Sequence, residues 1–322
     1  MSNRQASRKE TSGGTMRYSL FEDTRIGKRP YQQDRLAHWR TDDALFLVVA
    51  DGMGGHAHGD VAAQITVDCL GGAFRGEAKP TVPDPDAFLY RSIGLAHAMV
   101  LHQTQRQGLA RDPLNSPRTT VVACLVQGGY AYWSFVGDSR FYIIRDGRIL
   151  ARTRDHTPVQ MLIDAGRIRE EAAATHPDRN KLLQCLGGPR PPRAEPTAQA
   201  RLHPGDILLL CSDGFWGPLT QRQLLMGLLG KDLKQALPEL VSLAETRAGP
   251  RCDNISVLAA QWLEKAVPAP VEPMTVPMSE VPTDVRDFGA TEPDFLRMSD
   301  EEIDRQIAEI RQALKKNDPE KP

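Results

Sequence analysis

The sequence predicts an α+β fold in which antiparallel sheets are covered by helices. Apolar runs of strand length recur through the chain, two of them are joined by an Asp-Gly hairpin signal, and amphipathic helical patterns are mixed among them. This combination argues against a doubly wound parallel sheet.

In chain order the strand-like runs are Ala44–Ala50, Thr119–Val126, Ala131–Val136, Phe141–Ile144, Ile149–Thr153, Ile207–Cys211 and Ile255–Trp262. Arg145-Asp146-Gly147-Arg148 links the fourth and fifth, with Asp-Gly supplying the turn. Helical patterns occupy Val61–Phe74, Asp86–Gln107, Thr220–Leu229 and Asp232–Arg247. In the second of these Leu89, Ile93, Ala96 and Val100 recur every three or four residues, giving one buried face. These elements predict one domain over residues 18–264, preceded by a tail at 1–17. Repeated prolines make 265–297 a linker that cannot build a core. Residues 298–322 carry an amphipathic helix and tail; Ile303, Ile307, Ile310 and Leu314 form a narrow stripe fitted to a partner's groove or to the protein's own surface. A weakly formed, solvated helix is the competing reading of this stripe.

Bulk properties narrow the function. Forty basic and 41 acidic side chains leave a formal net charge of -1, which favours neither nucleic acid nor an anionic membrane as partner. No run approaches the roughly 20 apolar residues of a membrane span. The polar N-terminus lacks the apolar stretch of a secretory signal. Five scattered cysteines without a Cys-x-x-Cys pair argue against zinc or a disulfide framework and suit a reducing compartment, so the cytoplasm is the expected location.

The chemistry points to carboxylates at strand ends. Val48-Val49-Ala50 runs into Asp51-Gly52, and Leu209-Leu210-Cys211-Ser212 runs into Asp213-Gly214. Such a placement holds an acid rigidly at a sheet rim, and the glycine lets backbone approach closely. Asp253-Asn254 precedes the last strand, Gly137-Asp138-Ser139-Arg140 lies between two strands, and Asp34 follows Arg29-Pro30-Tyr31-Gln32-Gln33. Taken singly, each also reads as an ordinary turn, bulge or surface residue. Gathered at one edge, the acids repel one another unless a cation balances them, and hard divalent ions prefer such oxygen donors.

In this order, Arg29-x-x-Gln32-Gln33-Asp34, Val49-Ala50-Asp51-Gly52-Met53-Gly54-Gly55-His56, Thr119-Thr120, Val136-Gly137-Asp138-Ser139-Arg140, Arg154-Asp155-His156-Thr157, Leu210-Cys211-Ser212-Asp213-Gly214 and Asp253-Asn254-Ile255-Ser256-Val257 resemble the metal-dependent PPM (PP2C-type) protein phosphatases, particularly their bacterial branch. The resemblance covers about Tyr18 to Trp262. It implies a four-layer α/β/β/α sandwich and hydrolysis of phosphoserine and phosphothreonine in proteins by water activated between two Mn²⁺ or Mg²⁺ ions, opposing a bacterial Ser/Thr kinase. Asp51 would bridge the two ions, the Gly52 carbonyl would complete the second site, and Asp213 and Asp253 would hold the first. Asp138, with Asp213, would hold a third, weaker ion. Asp34 would orient the water and Arg29 would grip the phosphate through its planar fork of donors. Phosphorylated proteins and a cognate kinase are the implied partners.

Some positions depart from the family pattern. Met53 stands where the animal branch has its general acid, leaving His56 either to contact substrate and donate a proton or to cap the Gly-rich turn. Gln33 replaces an acidic neighbour of Asp34, and Ser116-Pro117-Arg118 precedes Thr119 where glycine is common. Residues 158–196 resemble the family's variable flap. Two other functions compete: a silent regulator that keeps the fold for binding, against which Asp51, Asp213 and Asp253 all stand intact, and a nucleotide-binding turn at Gly52-x-Gly54-Gly55, which lacks Gly-x-Gly-x-x-Gly spacing.

Overall fold

The computed structural model describes residues 16–53, 58–109, 116–193 and 197–263, together with Arg305. The elements run β1 (Tyr18–Arg25), β2 (Arg35–Arg40), β3 (Ala44–Ala50), β4 (Gly52–Met53), α1 (Gly59–Glu77), α2 (Pro85–Arg106), β5 (Arg118–Thr119), β6 (Val121–Gln127), β7 (Tyr130–Val136), β8 (Arg140–Arg145), β9 (Arg148–Arg152), α3 (Pro158–Asp164), β10 (Ala198–Arg201), β11 (Ile207–Cys211), α4 (Asp213–Trp216), α5 (Gln221–Leu228), α6 (Leu233–Ala248) and β12 (Ile255–Trp262). Residues 1–15 of the expected 1–17 tail, the linker and the C-terminal helix lie outside the described residues apart from Arg305, as does His56.

Two five-stranded antiparallel sheets stack face to face. One has the order β1-β12-β11-β8-β9 and the other β10-β7-β6-β3-β2. Alternation along β3 shows why its run is apolar throughout. Ala44, Phe46, Val48 and Ala50 pack beneath α1 and α2, against Val67, Leu70, Phe74, Phe88 and Ile93. Leu45, Leu47 and Val49 point the other way, into the layer between the sheets, with Phe141, Leu208, Leu210 and Leu258. A strand buried on both faces loses the polar half of the usual period-2 pattern. On the outer face of the other sheet, α5 and α6 bring Leu224, Leu228, Leu237 and Val241 onto Tyr142, Leu209 and Val257. The result is the expected α/β/β/α order of layers.

The β8–β9 hairpin turns at Asp146 (φ 49°) and Gly147 (φ 71°), so both central residues are left-handed and the turn matches the strand twist. One strand expectation is corrected, and two stretches gain local structure. The predicted single strand Thr119–Val126 divides at Thr120 into β5 and β6. Asp213-Gly214 opens the short helix α4 behind Ser212. The flap region carries α3, which Thr157 caps through its side chain to Gln160 N with Pro158 in the first turn, and a 3₁₀ turn at Glu170–Thr175.

Candidate active site

Register brings the expected acids to one end of the sandwich. Ala50 pairs with Arg35, so Asp51 leaves β3 beside Asp34 as it enters β2. Val121 pairs with Val136, placing Thr120 and the Gly137-Asp138 turn at the same rim. In the facing sheet Cys211 pairs with both Arg140 and Val257, so Asp138, Asp213 and Asp253 sit at adjacent strand ends. Five acids from separate stretches of chain thus meet at one edge.

Each is held by its own partners. Ser212 Oγ donates to Asp34 Oδ2 at 2.7 Å and accepts from Ser256 N at 3.0 Å, tying the two sheets together. Asp34 Oδ1 is buried without a hydrogen-bond donor. Arg35 donates to the Gln32 and Asp34 carbonyls and to Gln64 on α1, fixing the approach to Asp34. Asp253 accepts from Arg29 Nη2 at 2.6 Å through Oδ2 and from Asn254 N at 2.8 Å through Oδ1. Asn254, which sequence reasoning left without a role, staples the Arg29 segment down. Its Nδ2 donates to the carbonyls of Ile26 (2.9 Å) and Tyr31 (3.0 Å), and its Oδ1 accepts from Gln33 N (2.8 Å). Trp216 Nε1 donates to the Asp138 carbonyl at 3.0 Å, and its ring lies 3.3 Å beneath the Arg140 guanidinium, which forks onto Asp155.

Glycines are required where backbones press together. A Cβ at Gly52 would run into the Gly59 and Gln33 carbonyls, and one at Gly214 into the Asn254 carbonyl. Both follow a candidate ligand, as the Asp-Gly pattern anticipated.

The electrostatics are those of an acid-crowded interior. Burial pushes Asp34 up to about 7, and burial followed by the charge of Asp253 pushes Asp213 up to about 6. Burial, then Asp34 and Asp213, hold Asp51 well above the usual carboxylate range, and burial with Asp213 does the same to Asp138. Asp51 thus lies under the charge of both Asp34, in its own sheet, and Asp213, in the facing one. Carboxylates crowded in this way stay ionised together only with positive charge among them.

Among the described residues, no three His, Cys, Asp or Glu side chains close around one point as a finished cage. The acids interact pairwise, with Asp253 turned onto Arg29 and Asp34 onto Ser212. Their donor type, their surplus negative charge and the open Asp34 oxygen nevertheless suit a hard divalent cation.

A stacked pair of antiparallel sheets between helix layers, with buried acids at one rim, is the arrangement that the motifs imply for a metal-dependent phosphatase. The chain belongs to the protein phosphatase 2C family, whose sequence model matches residues 23–249. It is 35% identical over 222 residues to the serine/threonine protein phosphatase PstP of Mycobacterium tuberculosis, covering 69% of this chain and 41% of PstP. This chain thus spans about two fifths of that relative's length. It is 32% identical to a putative protein phosphatase 2C-type from Streptococcus pyogenes, covering 75% of this chain and 96% of that protein. Among solved structures, the catalytic domain of PstP in complex with two manganese ions superposes with a TM-score of 0.63 at 29% identity, covering 77% of this chain and 99% of that one.

Proposed function

We propose that this chain is a metal-dependent serine/threonine phosphoprotein phosphatase whose working unit spans residues 18–264. The reading rests above all on Asp34, Asp51 and Asp213, brought from both sheets to one rim, where Asp34 is buried, Asp51 and Asp213 are half-buried, and the neighbouring acid charges oppose the ionisation of each. The family and the two manganese ions of PstP support the same assignment.

Asp51, the Gly52 carbonyl, Asp213 and Asp253 would hold two divalent ions, with Asp138 available to a third. When bound, such ions supply an acidified water and positive charge against the phosphate dianion. Arg29 presents a forked donor at the half-exposed mouth of the site and passes from Asp253 to the substrate's phosphate oxygens. Asp34 keeps Oδ2 on Ser212 and offers Oδ1 as the acceptor that aligns the attacking water. Burial of this rim strengthens each of these interactions over its value in bulk water. Met53 faces Arg118 across the β4–β5 pair and has no proton to give, so His56, outside the described residues, is the proposed donor to the leaving alkoxide.

Among the described residues no helix is long and apolar enough to cross a membrane. A cytoplasmic location, phosphorylated protein substrates, an opposing Ser/Thr kinase and a docking role for the 298–322 segment complete the proposal.

The test is hydrolysis of phosphoserine and phosphothreonine peptides with Mn²⁺, with EDTA, and by Asp51→Asn and Asp213→Asn. Wild-type turnover in Mn²⁺ should vanish in EDTA and fall at least 10²-fold in either variant. Turnover that survives excess chelator removes the reading.

A further inference from the structure

The one interruption in the long β3–β6 ladder falls at the residue expected to bridge the ions. Ala44 pairs with Gln127 and Val49 with Val122, and beyond the break Gly52 pairs with Thr119 in the same register. Asp51 and Thr120 therefore stand opposite each other where a regular antiparallel pair would exchange two backbone hydrogen bonds. Only one of these forms: Thr120 N donates to Asp51 O at 2.9 Å. The other is replaced by a side chain, with Asp51 N donating to Thr120 Oγ1 at 3.0 Å. Thr119 Oγ1 lies 2.9 Å from the same Asp51 carbonyl and 2.9 Å from the freed Thr120 carbonyl, so its one proton is shared between them.

The Thr120 hydroxyl does more than fill this gap. It also bonds Ser139 Oγ at 2.7 Å, and Ser139 adjoins Asp138 in the turn that carries the chain between the sheets. Thr120 and Ser139 are 0% and 1% exposed, so water cannot substitute for either partner. The methyl of Thr120 has a separate task, packing where a Cβ on Gly137 (φ 109°) would meet Thr120 Cγ2 at 2.6 Å.

From this geometry we infer that Thr120 is a positioning residue. Its hydroxyl breaks the ladder so that the Asp51 carboxylate is aimed into the rim, and it locks that aim to the turn bearing Asp138. The inference rests on the proposed metal-dependent reaction and assigns it a residue that touches neither substrate nor ion. A threonine serving only the fold would affect stability through hydroxyl and methyl alike and leave metal affinity alone.

The test compares Thr120→Ser, which keeps the hydroxyl, with Thr120→Ala, which does not; both lose the methyl. Thr120→Val keeps the methyl and loses the hydroxyl. With the full-length protein, Mn²⁺ is titrated in two ways: by the rise in melting temperature, which needs no turnover, and by kcat and KM on a phosphothreonine peptide. The expected result is a Mn²⁺ midpoint raised about tenfold in Thr120→Ala and Thr120→Val, lower kcat with KM nearly unchanged, and a wild-type midpoint in Thr120→Ser. Should Thr120→Val fail to fold, the Ser/Ala pair decides alone. A midpoint in Thr120→Ala within twofold of wild type, or a Thr120→Ser as impaired as Thr120→Ala, overturns the inference. Wild-type protein that shows neither a Mn²⁺-dependent melting shift nor turnover instead brings down the metal-dependent reading, and the role of Thr120 with it.

Discussion

Replacing Asn254 with alanine probes how Arg29, the arginine proposed to face substrate, is held. Asn254 is 5% exposed and spends its whole amide on the 26–33 segment, through bonds to Ile26 O, Tyr31 O and Gln33 N. Three neutral hydrogen bonds at about 1 kcal/mol each come to about 3 kcal/mol, provided the freed carbonyls and amide stay buried. If the segment loosens to find water, the global loss shrinks, but the cost moves to function, because Arg29 and Asp34 lie on that segment or at its end. About 3 kcal/mol of lost pre-organisation corresponds to roughly 10²-fold in the population of the competent arrangement. Urea unfolding and steady-state kinetics on a phosphothreonine peptide separate the two routes. The Asn254→Ala protein should lose about 3 kcal/mol of stability, or keep most of it while kcat/KM falls 10–100-fold with a raised KM. Stability within 0.5 kcal/mol of wild type together with kcat/KM within twofold refutes the stapling argument.

Other outcomes follow from the same structure. Asp51→Asn should raise the melting temperature of the metal-free protein, since it removes a charge from a buried group of like charges, while abolishing the Mn²⁺-dependent shift; differential scanning fluorimetry reads both. Arg140→Met strands the buried Asp155 carboxylate and loses the stack on Trp216, and should cost about 3–5 kcal/mol in urea unfolding. Burial lowers His97 to about 4, and its Nδ1 accepts from Gly187 N. The unfolded chain therefore binds more protons than the fold between pH 6.5 and 4. The contribution of His97 is complete above pH 6.5 and declines as pH falls towards 4, by about 3 kcal/mol in all. Melting curves across that range should be flatter for His97→Asn than for wild type.

Much of the fold was legible because burial leaves a local trace. The seven apolar residues of β3, the Leu-rich run of β11 and the Asp146-Gly147 turn carry their environments in their own composition. The strands β1, β2 and β10 escaped detection because edge strands need few apolar residues; Ala198–Arg201 has no large one. The helix α3 did carry a signal, Thr157-Pro158 as cap and first residue, hidden within a stretch read as flap. The acids of the site were visible at strand ends, whereas their supports were not. Ser212 meets Asp34 across 178 positions, Asn254 meets Gln33 across 221, and Trp216 reaches Asp138 across 78. Such pairings are created by stacking the two sheets, and no spacing rule within one segment announces them. The Thr119-Thr120 pair was noticed as a motif, but the ladder break that gives it meaning exists only in the paired strands.

The hydroxyl of Ser212 joins a residue entering β2 to the backbone of β12, so it spans the seam between the two layers. No contiguous fragment, hairpin or half-sandwich of this chain can carry the proposed reactive centre, because each layer owns only part of it. Partial opening along that seam should therefore extinguish function before secondary structure is lost. Amide exchange of Ser256, whose N–H the Ser212 hydroxyl accepts, should accordingly begin at a lower free energy than that of the central strands, through an opening in which the strands stay paired.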